Sequence, residues 1–433
     1  MAVIPNIIFA VILFAGIFFF ARNVRKLIRN IRMGKATDRS DNKPERFRNM
    51  ARIALGQQKM VVRPVAGILH IIVYLGFIII NIEVLEIIID GLFGTHRIFE
   101  FLGGFYGFLI GSFEVLALLV LVSVIVFWIR RNMIRLQRFW KPEMKGWPKH
   151  DGNFILYFEM VLMILFLVMN ATDVPFQQMQ SGNVVSGIIA PLFEGLPQSV
   201  LHTIERSAWW LHITGILIFL NYLYYSKHLH ILLAFPNTYF ASLKPKGEMD
   251  NLEAVTNEVK LMMDPNADPF AAPAEGDTAA PEKFGASDVA DLSWVQLLGA
   301  YTCTECGRCT SECPANQTGK KLSPRKIMMD TRDRLEEVGK NIDNNGTFVA
   351  DNKSLLDDYI TREELWACTS CNACVEACPV SINPLSIILD MRRYLVMEQS
   401  AAPAELNNMM TNIENNGAPW PYNQMDRLNW KNE

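Results

Sequence analysis

Apolar residues dominate the first half of the chain in long runs and then give way. The first run, residues 3–21, reads VIPNIIFAVILFAGIFFFA without a charge, long enough to cross a bilayer. Four more stretches of similar character follow, at about 62–90, 102–129, 152–171 and 207–234. Residues 185–197 are apolar but short, and read as a loop or an interfacial piece. Beyond 235 the pattern changes. Residues 248–290, with the run DPNADPFAAPAEGDTAAPEK, are rich in Ala, Pro and acidic residues and read as a mobile linker. A soluble segment follows. Its SPRKIMMDTRDRLEEV and NPLSIILDMRRYLVMEQ each open on a capping residue and proline, then keep a helical period. Strand patterns are hard to find anywhere.

The polar positions between the runs set an orientation. Thirteen Lys and Arg lie between the first two runs and seven between the third and fourth, whereas the two opposite loops hold only Arg97 and Arg206. Twenty against two is a strong positive-inside bias. It places the N-terminus outside and everything after 235 in the cytoplasm of a bacterial-type inner membrane. No basic residue precedes the first run and four follow it closely, which suits a retained anchor rather than a cleaved signal. Half the 433 residues are hydrophobic, and the net charge of −3 points away from nucleic acid as a partner.

All eight cysteines fall into two copies of one phrase, CTECGRCTSECP at 303–314 and CTSCNACVEACP at 368–379. The spacing C-x2-C-x2-C-x3-C-P is that of bacterial [4Fe-4S] ferredoxins. Three cysteines two residues apart wrap one cube, and the fourth is carried off to the other. One cluster therefore takes Cys303, Cys306, Cys309 and Cys378, and the second takes Cys368, Cys371, Cys374 and Cys313. Gly307 and Ala373 keep the loops tight. A pair of zinc sites is the alternative, but zinc gains nothing from a third evenly spaced cysteine. The reduced thiols suit the cytoplasm.

Ionisable residues inside spans are costly and tend to be functional. His70 falls in the second run; His212, His228 and His230 fall in the fifth. On one continuous helix His212 and His230 would share a face, five turns and roughly 27 Å apart. That suits two stacked b haems, with His70–His230 clamping the inner one. His212 lacks a partner for the outer haem, because the position ten beyond His70 is Ile80. His96 and His202 stand near the outer face and are weaker candidates, as is His228, expected nearly opposite His230. His150 reads as a solvated loop residue. Trp209 and Trp210 read as interfacial belt residues that could also flank a quinone.

HITGILIFLNYLYYSKHLHI and RPVAGILHIIVYLGF resemble the corresponding spans of nitrate reductase gamma-type cytochromes b. From CTECGRCTSECPANQTGKKLSP onward, the chain is similar to the iron–sulfur domain of membrane-bound heterodisulfide reductase-like proteins. The resemblance implies haem b held by His70, His212 and His230, a quinone such as menaquinone, and a separate cytoplasmic CCG-type iron–sulfur subunit in place of the CCG domains that many relatives carry. The fold expected is all-α: a five-helix transmembrane cytochrome b-type bundle over 1–235, a linker over 236–290, a mostly helical dicluster ferredoxin-like domain over 291–400, and a docking tail over 401–433 with Trp420, Tyr422 and Trp430. The expected function is electron transfer between quinone, haem b, two [4Fe-4S] clusters and a cytoplasmic redox partner. Catalytic side chains are not expected. Reverse flow, from a soluble donor to quinone, and a non-enzymatic adaptor or redox sensor are the alternatives.

Overall fold

The computed structural model describes residues 3–179, 181–265 and 283–432. Helix is the regular secondary structure of these residues, with two isolated bridges and no strand among them. Five long helices build the first half: α1 (Val3–Ile31), then, after a short helix α2 (Lys43–Met50), α3 (Pro64–Phe93), α4 (Gly104–Asn132), α5 (Trp147–Thr172) and α6 (Gln198–Tyr222). They pack as a closed ring, α1 against α3, α3 against α4, α4 against α5, α5 against α6, and α6 back against α1. Four of the five, α1, α3, α4 and α5, are long and apolar enough to cross a membrane, and they mark a membrane protein. α6 carries Glu205 and Arg206 in its first half and is not among the four. Local sequence explains the ends. Pro64 and Pro148 sit in first turns, where a missing N–H costs nothing. Gly94 ends α3 in the left-handed conformation.

The fifth apolar run is not one helix. α6 ends at Tyr222, two short 3-10 turns cover Leu223–Tyr225 and Lys227–Leu229, and a new helix α7 runs from His230 to Tyr239. Ser226 between the turns is extended, and its hydroxyl accepts from the His228 N–H at 3.0 Å. Asp151 of α5 fixes the break, accepting from the Tyr222 hydroxyl at 2.6 Å and the Lys227 N–H at 3.1 Å. The expectation of a continuous helix with His212 and His230 five turns apart on one face is therefore corrected. The span also starts earlier than 207.

Within the expected linker, α8 (Glu253–Met263) is helical, and 236–239 belong to α7; residues 266–282 lie outside the described residues. The second half contains α9 (Trp294–Thr302), α10 (Arg308–Ser311), α11 (Pro324–Asn345), α12 (Ala373–Ala377), α13 (Pro384–Met397) and α14 (Ala404–Asn416). Ser323 and Asn383 cap α11 and α13 as expected, accepting from Lys326 and Ser386 N–H groups.

This second half is packed directly on one end of the bundle. Leu27 of α1, Ile155 of α5 and Phe219 of α6 share a core with Leu297, Tyr301 and Met328. Asn30, buried, donates to the Tyr301 hydroxyl at 2.9 Å. The chain after α1 exchanges two backbone hydrogen bonds with the start of α9, Lys35 N to Leu292 O at 2.8 Å and Trp294 N to Lys35 O at 3.1 Å. Gly34 permits that approach, since a Cβ there would lie 2.6 Å from the Trp294 nitrogen. Gly34→Leu is expected to loosen this seam, raising amide exchange in 292–302 at least tenfold while α3 and α4 keep their protection. Unchanged exchange at 292–302 would show that the seam tolerates the side chain.

Candidate metal and redox centres

The two cysteine phrases follow the same backbone path. In each, the residue before the second cysteine is left-handed (Glu305, φ 53°; Ser370, φ 57°), and so is the residue after it (Gly307, φ 71°; Asn372, φ 60°). The tight position in the second phrase is therefore Asn372 and not Ala373, and Asn tolerates this region better than most residues. Gly307 has a second reason: a Cβ there would lie 2.5 Å from the Arg325 guanidinium. Each phrase then enters a short helix, α10 or α12, and these two pack together. The pairing crosses the fourth cysteines over.

Cys303, Cys306, Cys309 and Cys378 line one cavity together with Met328 and Val380. The other four form the second group. Burial first, then the neighbouring thiols of Cys368, Cys313 and Cys371, push the Cys374 thiol up to about 12. Burial likewise pushes Cys303 up to about 12 and Cys378 up to about 11. Such thiols become thiolates readily only against concentrated positive charge. Backbone N–H groups already aim at two sulfurs, Ser370 N at Cys368 Sγ (3.4 Å) and Ile382 N at Cys378 Sγ (3.3 Å). Among the described residues no three His, Cys, Asp or Glu side chains stand close enough together to hold a single metal ion. Thiolates that reach the corners of a cube stand further apart than the ligands of one zinc. Each group holds two buried cysteines, and the one exposed cysteine of the eight, Cys371, belongs to the second group, which therefore has an edge open to solvent.

The first cysteine loop is bolted to the bundle. Glu305, 3% exposed, forms an ion pair with Lys227 in the break between α6 and α7, and a second with Arg332 at 2.8 Å. Burial alone would raise the Glu305 carboxyl, yet Lys227 and Arg332 hold it below the usual range. Arg308 reaches from α10 to the Lys59 carbonyl (2.9 Å) and the Met60 carbonyl (3.4 Å), just before α3. Fully buried Arg325 binds Glu143 and the Arg138 carbonyl, both at 2.6 Å. Asn237 of α7 donates to the Val380 carbonyl at 2.6 Å.

The break places His230 beside His70 of α3, with ring centres 6.4 Å apart and planes tilted by 39°. His230 Nδ1 lies 3.2 Å from the Lys227 carbonyl, and His70 Nδ1 is buried without a partner. His228 is not opposite His230 at a membrane edge. Its ring lies 5.3 Å from that of His230, and its Nε2 lies 3.5 Å from Glu159. The tight 3-10 turn explains the difference. His212 is buried, with Nδ1 3.0 Å from the Leu162 carbonyl, but Ile80 at the matching depth of α3 is buried and apolar. His96 pairs with Asp173 at 3.2 Å, and His202 and His150 are exposed. Trp209, expected in an interfacial belt, points inward with 8% exposure and packs on Phe9.

Several residues escaped the reading of the sequence. Lys227, Glu305 and Arg308 matter only through contacts distant in sequence. Glu83, Glu86 and Glu114 were legible as acids inside apolar runs. All three are buried.

Residues 302–382 match the 4Fe-4S dicluster domain family. Over nearly its whole length the chain is similar to a probable iron-sulfur-binding oxidoreductase of Bacillus subtilis, 28% identical across 99% of this chain and 61% of that protein. It is 25% identical to an EtfAB:quinone oxidoreductase of Syntrophomonas wolfei, across 91% of this chain and 55% of that one. A probable membrane-anchored ferredoxin of Chromohalobacter salexigens is 35% identical over 34% of this chain and 24% of its own length. Subunits of heterodisulfide reductases are further relatives. The chain thus spans less than two thirds of the length of the first two relatives. No solved structure matches it. The relatives are iron–sulfur oxidoreductases and related subunits, and together with the dicluster domain they support iron–sulfur clusters and an electron-transfer role for this chain.

Lys227→Met leaves Glu305 with one cation in place of two. Removing one partner from a buried ion pair typically costs about 3–5 kcal/mol, and the retained Arg332 sets the expectation near the low end. A thermal or denaturant melt of the purified protein measures it, and a loss under about 1 kcal/mol would show that the pair behaves like a surface one.

Proposed function

We propose that the chain conducts electrons between a soluble redox protein and a quinone in the membrane, using two [4Fe-4S] clusters and haem b. The observation that carries this reading is the placement of the Cys303–Cys378 surround directly against the turn that bears His230. The cluster ligands would be Cys303, Cys306, Cys309 and Cys378 for one cube, and Cys368, Cys371, Cys374 and Cys313 for the other. The more exposed second group is the natural point of entry from a soluble partner. Trp420, Tyr422 and Trp430, all more than half exposed, offer that partner, of the CCG type or another, an apolar surface on the tail. The positive-inside loops support a cytoplasmic position for this end.

His70 and His230 fit an iron between them. Two imidazoles bound at about 2 Å on opposite sides of one metal hold their ring centres about 6 Å apart, close to the observed separation. The Lys227 carbonyl orients the His230 ring as a ligand's outer partner should. His212 has an equally well-oriented imidazole but no second ligand at Ile80, so it suits a five-coordinate outer haem. Haem b, when bound, supplies one-electron exchange. A direction is suggested by the Syntrophomonas relative, whose name sets EtfAB before quinone. Flow from a soluble donor to quinone is favoured on that ground over the opposite flow.

Three results test the reading. The purified chain should contain eight irons in clusters and show a reduced-minus-oxidised haem b spectrum. Stoichiometric zinc in their place would overturn it. His70→Ala and His230→Ala should each remove the inner haem, and full haem content in both would overturn the pairing. Cys313→Ser should disturb the cluster of Cys368, Cys371 and Cys374 more than the other in electron paramagnetic resonance of the reduced protein. Equal loss of both signals would argue against crossed ligation.

A further inference from the structure

At the end of the bundle away from the cysteines, a cavity of ≈ 590 Å³ opens between the start of α1, the end of α3, the loop through Arg97 and the first turns of α6. That volume lies within the range of small-molecule sites. Phe9, Trp209 and Trp210 form an aromatic wall. Trp209 is three residues from His212, and Glu83 is three residues from Ile80, so the cavity floor lies one helical turn beyond the level of that buried imidazole.

The acids around it are nearly all committed. Glu86 accepts from Phe99 N at 2.9 Å and the Tyr106 hydroxyl at 3.0 Å. Asp173 binds Arg97 at 2.8 Å and His96 at 3.2 Å. Asp90 accepts from Arg97 N at 2.7 Å, and Glu205 pairs with Arg206. Behind the wall, Glu114 accepts from Asn170 and from the Val185 and Ser186 N–H groups. Glu83 is different. It is 3% exposed, lines the cavity, and has a buried carboxyl oxygen, Oε2, with no partner. A carboxylate is too costly in such a place, so Glu83 stands there as a neutral acid with a proton to give. With the other acids paired, the cavity does not call for a metal ion or an organic cation. Its chemistry is an aromatic wall of mutually tilted rings, a polar rim that carries His96, Arg97 and His202, and one buried acid without a partner, which matches a carbonyl-bearing ring.

We propose that this cavity binds a quinone head group and that Glu83 protonates it. The proposal rests on the proposed function for its electrons. Reduction of the quinone to quinol takes two electrons and two protons. The electrons come singly from the soluble donor through the chain. One proton passes from Glu83 to the nearer quinone oxygen. The second comes from water at the open rim, beside His96, whose side chain is 46% exposed. Glu83 is then reprotonated from the water on that side of the membrane. The groups whose charge bears on Glu83 are Arg97, Glu86 and Glu114, with Asp173, Glu205, Arg206 and His202 around the same cavity.

The full chain in lipid nanodiscs tests this with two readouts. The first is fluorescence quenching of the quinone analogue 2-heptyl-4-hydroxyquinoline N-oxide. The parent is expected to bind it saturably, one per chain. Ile87→Trp, which fills the cavity from α3, should weaken binding at least tenfold with the cluster absorption unchanged. The second is menadione reduction by the chemically reduced chain. Glu83→Gln should keep analogue binding within about threefold, slow the reduction at least tenfold and flatten its pH dependence. No saturable binding by the parent, parental binding by Ile87→Trp, or an unchanged rate and pH profile in Glu83→Gln would each overturn the proposal. Saturable binding that Ile87→Trp abolishes, in a parent that never reduces menadione, would support the cavity as the binding site, overturn proton delivery by Glu83, and count against the conduit.

Discussion

Lys227 and Glu305 meet where the last membrane-side helix breaks and the first cysteine loop begins, and both side chains are almost wholly buried. Taking two such charges out of water costs several kcal/mol for each ion, and their attraction offsets this only with good geometry and further hydrogen bonds. Both conditions hold. Lys227 also donates to the Pro148 carbonyl at 2.5 Å, and Glu305 also takes Arg332. The pair adds little to stability beyond what an apolar substitute would. What it does is fix position. Lys227 can reach Glu305 only if the chain leaves the helix after Tyr222, and that departure carries His230 round to face His70. One contact thus couples the geometry of the cysteine loop to that of the paired imidazoles.

The basic loops serve two physical ends. Their excess of Lys and Arg is the basis of the proposed orientation across a bilayer, and many of the same side chains hold the second half of the chain. Lys26 and Arg29 pair with Asp343, Arg63 binds Ser311 and Glu312, and Lys59 reaches the Glu376 carbonyl. In the opposite sense Arg308 and Arg325 of the second half bind carbonyls of the same loops. A cluster domain held by so many polar contacts and a shared apolar core is docked. The expected linker then has a smaller part to play than that of a swinging tether.

The cysteine groups were legible because ligand spacing is a local constraint: two residues between cysteines fix the loop whatever surrounds it. The long apolar runs were legible because bilayer thickness fixes helix length. The break at Ser226 was not, since LNYLYYSKHLHI has no proline or glycine, and the cause lies in Asp151 and Glu305, far away in sequence. The same holds for His228, whose surroundings follow from the turn. The tight position of the second phrase was assigned to Ala373 by size, while the backbone demanded left-handedness at Asn372. Helix α8, inside the acidic and proline-rich stretch, shows that composition over forty residues hides a local helical segment.

The two ends of the bundle differ in how they handle charge. At the cysteine end the buried charges are held by opposite partners or, for Arg308 and Arg131, by backbone carbonyls, and transfer of one electron between rigid centres would need constant geometry and little reorganisation of charge. At the other end a network of Arg97, Asp173, Glu86 and Tyr106 is equally well paired but surrounds an open volume, and one acid in it is left without a partner. A two-electron carrier that gains or loses protons needs such a place, with room to enter and a group that can change its protonation without breaking an ion pair. On the proposed reading, the length of the bundle would keep the two demands apart, with the electron centres at one end and proton exchange at the other.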